Sequence, residues 1–393
     1  MTRSPHDPIR IAGAGPAGLA AAITLARGGR RAEVHESKGD VGARFIGDLQ
    51  IIENSSAPED VRDFLDRIGI ERNFYFRPVT EARFYGPSRE GDSGRPQAVP
   101  APRDVKAATP YGFFIRRGSF DGSLDRGLLA QARALGVEVR FGSRLDPTDA
   151  DIVATGPASP DGLAKEITFA SSEEERVEVY FDHRVSPGGY SYLFILDGVG
   201  TFGCAIVTDF KRIDDYFDAS LARAQSIRPV DASREQHSGY SYMNFHLKST
   251  ALAGASRYAG EAAGFQDYLF GLGIRYALES GSLAARSILE ERSFDALWEE
   301  ELGVKQRTSL VNRFLYEQGG NFGLASFVRQ AAKAKDFNAY LAGWHQDRWW
   351  KRLAAPLVRA LWRQKGPCQH KPGPHWCRAR ETRMKVPPLG PAG

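Results

Sequence analysis

The residues whose chemistry is plainest come at the start of the chain. Gly13-Ala14-Gly15-Pro16-Ala17-Gly18 spaces three glycines as Gly-x-Gly-x-x-Gly, and Glu36 lies 23 positions after Gly13. Between a strand and a helix, such a turn cradles a pyrophosphate. The first glycine permits the tight turn, the second lets the backbone approach the phosphates, and the third lets helix and strand pack closely. Free N–H groups and partial positive charge at the helix mouth hold the anion. The flanks meet the condition: Ile9 to Ala12 reads as a short buried strand, Leu19 to Arg27 as a helix stopped by Gly28-Gly29, and Ala32 to Glu36 as a second strand. Glu36 thus ends a strand, where a carboxylate holds ribose hydroxyls and disfavours a 2′-phosphate. A second Gly-x-Gly-x-x-Gly, Gly198 to Gly203, sits between two strands. No helix mouth follows it, so it reads as a β-hairpin, and one dinucleotide turn is expected rather than two.

Other reactive side chains are sparse. No His-Glu-x-x-His occurs, and the eight histidines are mostly scattered. The one cluster is Cys368-x-His370 with His375-x-Cys377, which can be read as a zinc set of non-standard spacing, a redox-labile cysteine pair or an unstructured tail. No metal site is assigned. Cys204 falls within a predicted hairpin strand and reads as a small core residue.

These residues need a frame to position them, and 393 residues suffice for two or three domains. Hydrophobic residues at 42% and charged residues at 25% exclude a disordered chain, and 41 glycines without a triplet period exclude collagen. Three cysteines are too few for a disulfide scaffold and suit a reducing compartment. No apolar run reaches the roughly 18 residues of a spanning helix. Gly13 to Ala26 is apolar enough for a signal-peptide core, but its fixed glycine spacing and the lack of a clean cleavage signal point to a cytoplasmic protein. Net charge is +4, unevenly spread: from Trp344 to Gly393 there are 11 Lys+Arg against Asp347 and Glu381. The mildly acidic body carries no nucleic-acid footprint, so any anionic partner would meet the C-terminal segment.

Leu124 to Leu135 reads as a helix, Val137 to Phe141 as a strand, and Asp151 to Thr155 as a buried strand ending at Gly156-Pro157. Over Ile167 to Asp209 strands replace helices, at Arg176 to Asp182, Tyr190 to Leu196 and Thr201 to Thr208. That predicts an antiparallel sheet inserted into an α/β frame. Helical patterning returns at Ile213 to Ser226, Ile274 to Ile288 and through much of Phe294 to Val358. Gly366 onward is rich in Pro, Gly and Arg and is expected to be poorly ordered.

Several segments together resemble the FAD-binding oxidoreductases. Glu36 and Ser37 are followed by Gly39, Gly42 and Arg44, like that superfamily's strand-end Glu, glycine and arginine run. Arg116-Arg117 precede Leu124-Asp125-x-x-Leu128-Leu129, like its arginine-then-helix element. Thr155-Gly156 resembles its "ATG" strand end, and Gly260-Glu261-Ala262-Ala263-Gly264 its late Gly-Asp-Ala-Ala-Gly segment. The whole resembles the aromatic-hydroxylase-type flavoprotein fold and, within it, the geranylgeranyl-reductase-like oxidoreductases. Gly189-Tyr190-Ser191-Tyr192-Leu193-Phe194 is similar to their Gly-Tyr-x-Trp-x-Phe-Pro cavity strand. This chain departs from the pattern with Glu261 for Asp, Tyr192 for Trp and Ile195 for Pro. It also has Phe265-Gln266-Asp267 where Pro is usual, and no cysteine in Arg44 to Asp48.

The resemblance implies a Rossmann-like, discontinuous FAD-binding domain (1–85, 110–160 and 251–300) with an inserted antiparallel substrate domain (86–109 and 161–250). A helical C-terminal region (301–365) and a tail (366–393) follow. FAD would be held by Gly13, Ala14, Gly15, Pro16, Ala17, Gly18, Glu36, Ser37, Arg44, Arg117, Thr155, Gly156, Gly260, Glu261, Gly264 and Gly273. The implied activity is that of a reductase or dehydrogenase passing hydride between flavin N5 and an apolar, isoprenoid-like small molecule. NAD(P)H or a reduced carrier protein would serve as donor. A flavin monooxygenase of the same fold and an electron-transfer flavoprotein are the alternatives; the Trp-x-Trp-x-x-Pro signature and catalytic lysine of flavin-dependent halogenases are not visible. Tyr190 and Tyr192 face one side of a strand, where they either line the cavity or pack in the core. Asp267 and Arg275, around Gly271-Leu272-Gly273, stand either near the isoalloxazine edge or in a helix cap and salt bridge. Tyr190, Tyr192 and Asp267 are the catalytic candidates, and no general acid is assigned.

Finally, Trp350, Leu353, Ala354, Leu357, Val358, Leu361 and Trp362 recur at helical spacing, with Arg348, Lys351, Arg352, Arg359 and Arg363 on the other side. Segment 344–365 therefore reads either as an interfacial membrane helix or as a stripe packed on the body, with Pro356 a kink or a restart.

Overall fold

The computed structural model describes residues 7–87, 101–157, 160–245 and 249–361. The chain opens with β1 (Ile9–Ala12), α1 (Pro16–Arg27) and β2 (Ala32–His35). Pro16 has the φ a helix start requires and forfeits no hydrogen bond there, so α1 begins three residues before the expected Leu19. Next come β3 (Leu49–Glu53), α2 (Val61–Arg67), β4 (Arg77–Val79), β5 (Glu81–Tyr85), β6 (Arg103–Lys106) and β7 (Gly112–Arg116). Then α3 (Leu124–Ala134), β8 (Glu138–Arg140) and β9 (Ile152–Val153) lead into β10 (Gly162–Ala170), β11 (Arg176–Tyr180), β12 (Ser191–Leu196) and β13 (Val199–Ile206). After α4 (Ile213–Ile227) follow β14 (His237–Met243), β15 (Leu252–Ala253) and β16 (Ser256–Tyr258). The rest is helical: α5 (Ile274–Leu289), α6 (Phe294–Trp298), α7 (Val304–Lys333), α8 (Phe337–His345) and α9 (Trp349–Leu361). Gly320 (φ 50°, ψ −155°) breaks α7 into two segments.

Three sheets form. The first has the order β15-β16-β9-β1-β2-β8, parallel except for the β15–β16 hairpin, with β1 central between β2 and β9. Its core is apolar on both faces, as a parallel sheet requires. The second has the order β14-β10-β13-β12-β11-β5-β6, and β3-β7-β4 forms a small third sheet. The turn between β12 and β13 is Asp197 (φ 48°) and Gly198 (φ 80°), a two-residue hairpin that ends at the first glycine of the second motif, whose remaining residues lie in β13.

One expected boundary shifts. Residues 81–85 are expected in the nucleotide domain, but β5 pairs in parallel with β11 (Glu178 with Arg83, Tyr180 with Tyr85). The second sheet therefore takes the chain from Glu81, not 86, and is antiparallel except for that pair.

Alternation divides the second sheet's faces. Leu163, Ile167, Leu193, Ile195, Phe202, Cys204 and Ile206 form a core with Phe217 and Ala224 of α4. Ala164, Glu166, Val177, Val179, Tyr192, Phe194 and Ala205 point the other way and line a cavity. Helices α7 and α8 close its far side through Leu324, Val328, Phe337 and Leu341.

Helices α1 and α5 cross in close contact. A Cβ on Gly281 would stand 2.1 Å from the carbonyl oxygen of Ala17, so only glycine permits this approach. Gly281→Ala must part the two helices. It is expected to lower stability by about 1–3 kcal/mol in urea unfolding; an unchanged midpoint would show that the crossing is not close-packed.

Candidate functional site

A cavity of about 640 Å³ is lined by the glycine turn, the mouth of α5 and the inner face of the second sheet. Each glycine of the turn has its own constraint. Gly13 has φ +100°, and a Cβ there would lie 2.5 Å from the Ala154 carbonyl oxygen; a Cβ on Gly18 would lie 1.9 Å from that of Gly13. Gly15 differs. Its φ of −79° suits any residue, and a Cβ would meet nothing within 4 Å. Neither strain nor packing requires glycine there, only open space above it.

The helices show where an anion fits. Asp60, Ser123, Ser293 and Asp336 cap α2, α3, α6 and α8 with side-chain oxygens. Helices α1 and α5, whose N-caps Gly15 and Gly273 line the cavity, have no side-chain cap. Their first amides are the orphan donors that hold phosphate. Glu36 is fixed beside the turn, accepting from the Ala14 N–H (2.9 Å) and the Lys38 N–H (2.9 Å). Gly13, Ala14, Gly15, Pro16, Ala17, Glu36, Ser37, Thr155, Gly156, Gly260, Glu261 and Gly273 all line the cavity, as do Arg44 and Arg117.

Both guanidinium groups lie over the Phe45 ring, Arg44 at 4.6 Å and Arg117 at 3.9 Å from its centroid. Arg117 also holds Asp125 in a bidentate pair (2.9 Å each). Burial raises the Glu261 pKa, and Arg44 and Arg117 pull against that rise.

The second sheet supplies an aromatic wall. Tyr192 stacks on Phe194 (4.9 Å between centroids), Phe114 meets Phe194 edge-on (4.8 Å), and the Tyr190 hydroxyl donates to the Phe270 carbonyl (2.7 Å). Gly203 leaves room beneath Tyr192, since a Cβ would fall 2.3 Å from its ring. Set in this wall is Glu166, buried yet lining the cavity, which accepts from the Tyr192 hydroxyl and from Ser241 Oγ (2.7 Å). Burial, with Asp48 nearby, pushes its pKa up to about 7. Glu53, on the same cavity, is likewise pushed up by burial to about 7 despite Arg275; Ser56 donates to its Oε1 (2.6 Å), and Oε2 has no hydrogen bond among the described residues. Neither carboxyl was anticipated from sequence. The available signal was parity: Glu166 shares the face of Ala164 on β10, opposite Leu163 and Ile167.

No family model matches the sequence, and neither does any curated protein. Solved structures do match. A geranylgeranyl bacteriochlorophyll reductase-like protein from Thermoplasma acidophilum superposes with a TM-score of 0.64 at 15% identity, over 90% of this chain and 98% of that one. The flavin-dependent halogenase CmlS gives 0.54 at 18% identity, over 96% and 76% of the two chains. A flavoprotein/dehydrogenase from Cytophaga hutchinsonii gives 0.55 at 14%, over 90% and 98%. At such identities the likeness is one of fold. This is the FAD-dependent oxidoreductase fold.

The residues present fit FAD: an open space over Gly15, two uncapped helix mouths and a fixed Glu36 surround one cavity. Three expected site residues stand off its wall. Gly18 packs α1 on the turn, and Gly264 shapes the turn after Glu261, its N–H donating to the Glu261 carbonyl (3.0 Å). Asp267, expected from sequence to line the cavity as a catalytic candidate, does not line it: its carboxylate accepts from Ser309 Oγ (2.6 Å), the Phe270 N–H (3.0 Å) and His345 Nε2 (3.2 Å), and neither Ser309 nor His345 lines the cavity. For Arg275 the salt-bridge alternative is the one seen: off the cavity lining, its guanidinium lies 3.7 Å from the Glu59 carboxylate and donates to the Glu53 (3.2 Å) and Glu59 (2.8 Å) carbonyls. Cys368, His370, His375 and Cys377 lie outside the described residues. Among those described, no three His, Cys, Asp or Glu residues converge as metal ligands.

Asp267 and His345 instead tie α8 to the loop ahead of α5. Burial opposes charge on both, but the hydrogen bond between them wins, lowering the Asp267 pKa from 3.8 and raising that of His345 from 6.5. His345 thus contributes fully below pH 6.5, and its contribution is lost as pH rises through its folded value. Asp267 contributes above pH 3.8 and loses that contribution as pH falls through its own folded value. Asp267→Asn should therefore cost about 3–5 kcal/mol near pH 6 and clearly less in alkali. Urea unfolding across pH tests this; a cost independent of pH would show that the pair is not ionised.

Proposed function

We propose that the protein is an FAD-dependent reductase or dehydrogenase acting on an apolar small molecule of isoprenoid character. One observation carries this reading: a single cavity is lined both by the phosphate-binding turn and by an aromatic wall that holds a carboxyl able to carry a proton near neutrality. Bound FAD would supply hydride chemistry at N5. The amides at the mouths of α1 and α5 bind the pyrophosphate, and Glu36 holds the adenosine ribose. Glu261 takes the ribityl chain, with Arg44 and Arg117 beside it. Phe114, Phe194 and Phe270 exclude water from the substrate end, and Tyr190 shapes it with its hydroxyl already committed to backbone. Glu166 holds and releases the proton that completes addition to a double bond, its carboxyl kept toward the cavity by Tyr192 and Ser241. Electrons reach the site from NAD(P)H docking transiently or from a reduced carrier protein, since the chain has one dinucleotide turn.

The protein is expected to purify yellow, with one FAD per chain. Gly15→Val should fold normally by circular dichroism yet bind FAD about 10- to 100-fold more weakly, a steric cost of about 1–3 kcal/mol. A folded preparation that stays colourless in excess FAD refutes the reading.

Two carboxyls of the cavity, Glu53 and Glu166, are expected to titrate near pH 7 by infrared spectroscopy; Glu166→Gln should keep its FAD and lose the one of these titrations that Glu53→Gln leaves in place. Persistence of that titration would remove Glu166 from the proposed role. When the anaerobically photoreduced protein is mixed with air, a direct return of the oxidised spectrum is expected. A persistent intervening species would assign the monooxygenase chemistry instead.

A further inference from the structure

Helix α9 has more apolar surface than the fold uses: one apolar stripe is packed and a second, beside it, is exposed. On the inner side Ala355 and Val358 are buried, with Trp350 and Ala354 partly so, in a cluster with Leu310 and Val311 of α7. Lys351 is buried there too, its Nζ donating to the Trp344 carbonyl. The single stripe expected from sequence is therefore split, and Lys351 does not belong to a solvent-facing basic side. On the outer side Trp349, Leu353, Leu357 and Leu361 repeat every four residues and are 73%, 72%, 62% and 60% exposed. A lone exposed leucine needs no explanation, but a row of four on one helix face does. Exposed Arg348 and Arg359 run along its edge, while Arg352 pairs with Asp347.

We propose that this outer face of α9 docks the protein on a bilayer rich in anionic lipid. Charge selects that occupant. The helix lies within a segment, Trp344 to Gly393, that carries 11 Lys+Arg against two acids. A second copy would bring the same positive edge against itself. The chain's own residues 362–393 hold seven Lys+Arg and one acid, Glu381, so they share the sign of the edge rather than complement it. An anionic lipid surface satisfies both features, taking the leucines into the acyl boundary and Trp349 at headgroup level. No helix among the described residues is long and apolar enough to cross a membrane, so the contact is adsorption in the interfacial plane. The placement also suits an apolar substrate: Phe337 and Leu341 of α8, which line the cavity, lie just upstream of α9. The docking itself does not depend on the flavin reading.

Vesicle flotation of the full chain tests it, using phosphatidylcholine alone and phosphatidylcholine with roughly one-third phosphatidylglycerol. The chain is expected to float with the anionic vesicles at least about tenfold more tightly than with the neutral ones, and to be released by salt. Leu353→Asp with Leu357→Asp, both at exposed positions, should weaken anionic-vesicle binding by about tenfold or more with unchanged thermal melting. Failure of the full chain to float overturns the proposal. So does undiminished binding of the double variant, which would leave the basic tail as the sole contact. Loss of a dimer in the variant alone, seen by gel filtration, would name a second copy as the occupant and overturn it equally.

Discussion

Helix starts leave backbone N–H groups without partners, and a folded chain must give each of them something to bind. Here α2, α3, α6 and α8 receive Asp or Ser caps, whereas the two helices that open on the cavity receive glycine. A side-chain cap is worth about 1 kcal/mol; α4 also goes without one, so what marks α1 and α5 is that both glycine-capped mouths open on the same cavity, where an anion could take up their amides. The close crossing at Gly281 and Ala17 fixes these two mouths relative to each other. The rest of the molecule arranges itself around that gap: the parallel sheet presents the turn, and the second sheet covers the space beyond it.

An anionic dinucleotide in this cavity also meets acids, among them Glu53, Glu166 and Glu261. Burial raises the pKa of all three, offset in part by Arg275, Arg44 and Arg117. Raised values make these carboxyls easier to neutralise, which would limit their repulsion of a diphosphate and leave protons available at the cavity wall. The same low dielectric that makes an unpaired charge costly thus gives the wall its capacity for proton chemistry.

The glycine turn was legible in the sequence because backbone rules act locally: a strand, three glycines at fixed spacing and a helix leave few alternatives. The hairpin at Asp197-Gly198 was legible for the same reason. Glu166 and Ser241 were not, because their hydrogen bond spans 75 positions and exists only once β10 and β14 pair. Asp267 was misplaced because nearness in sequence to Gly271-Leu272-Gly273 says nothing about which way its side chain points. That direction is fixed by Ser309 and His345, contributed by helices much later in the chain. Likewise the period of α9 marked it as amphipathic, but the division of its apolar residues between α7 and solvent is a tertiary fact.

A reductase-like protein and a halogenase share this fold at similar identity, so the fold itself cannot choose the chemistry. What differs must be sought in the wall. Among its described lining residues this chain has one lysine, Lys38, whose N–H donates to the Glu36 carboxylate beside the glycine turn, away from the aromatic rings. The aromatic end offers carboxyl, phenol and hydroxyl groups joined by hydrogen bonds, a set suited to holding and moving protons. An apolar guest in the cavity would find dispersion contacts on most sides and, in Glu53 and Glu166, carboxyls whose charge state changes near neutrality. On the reading proposed above, that combination would suit adding or removing hydrogen, with the Glu166 carboxyl rather than either tyrosine supplying the proton.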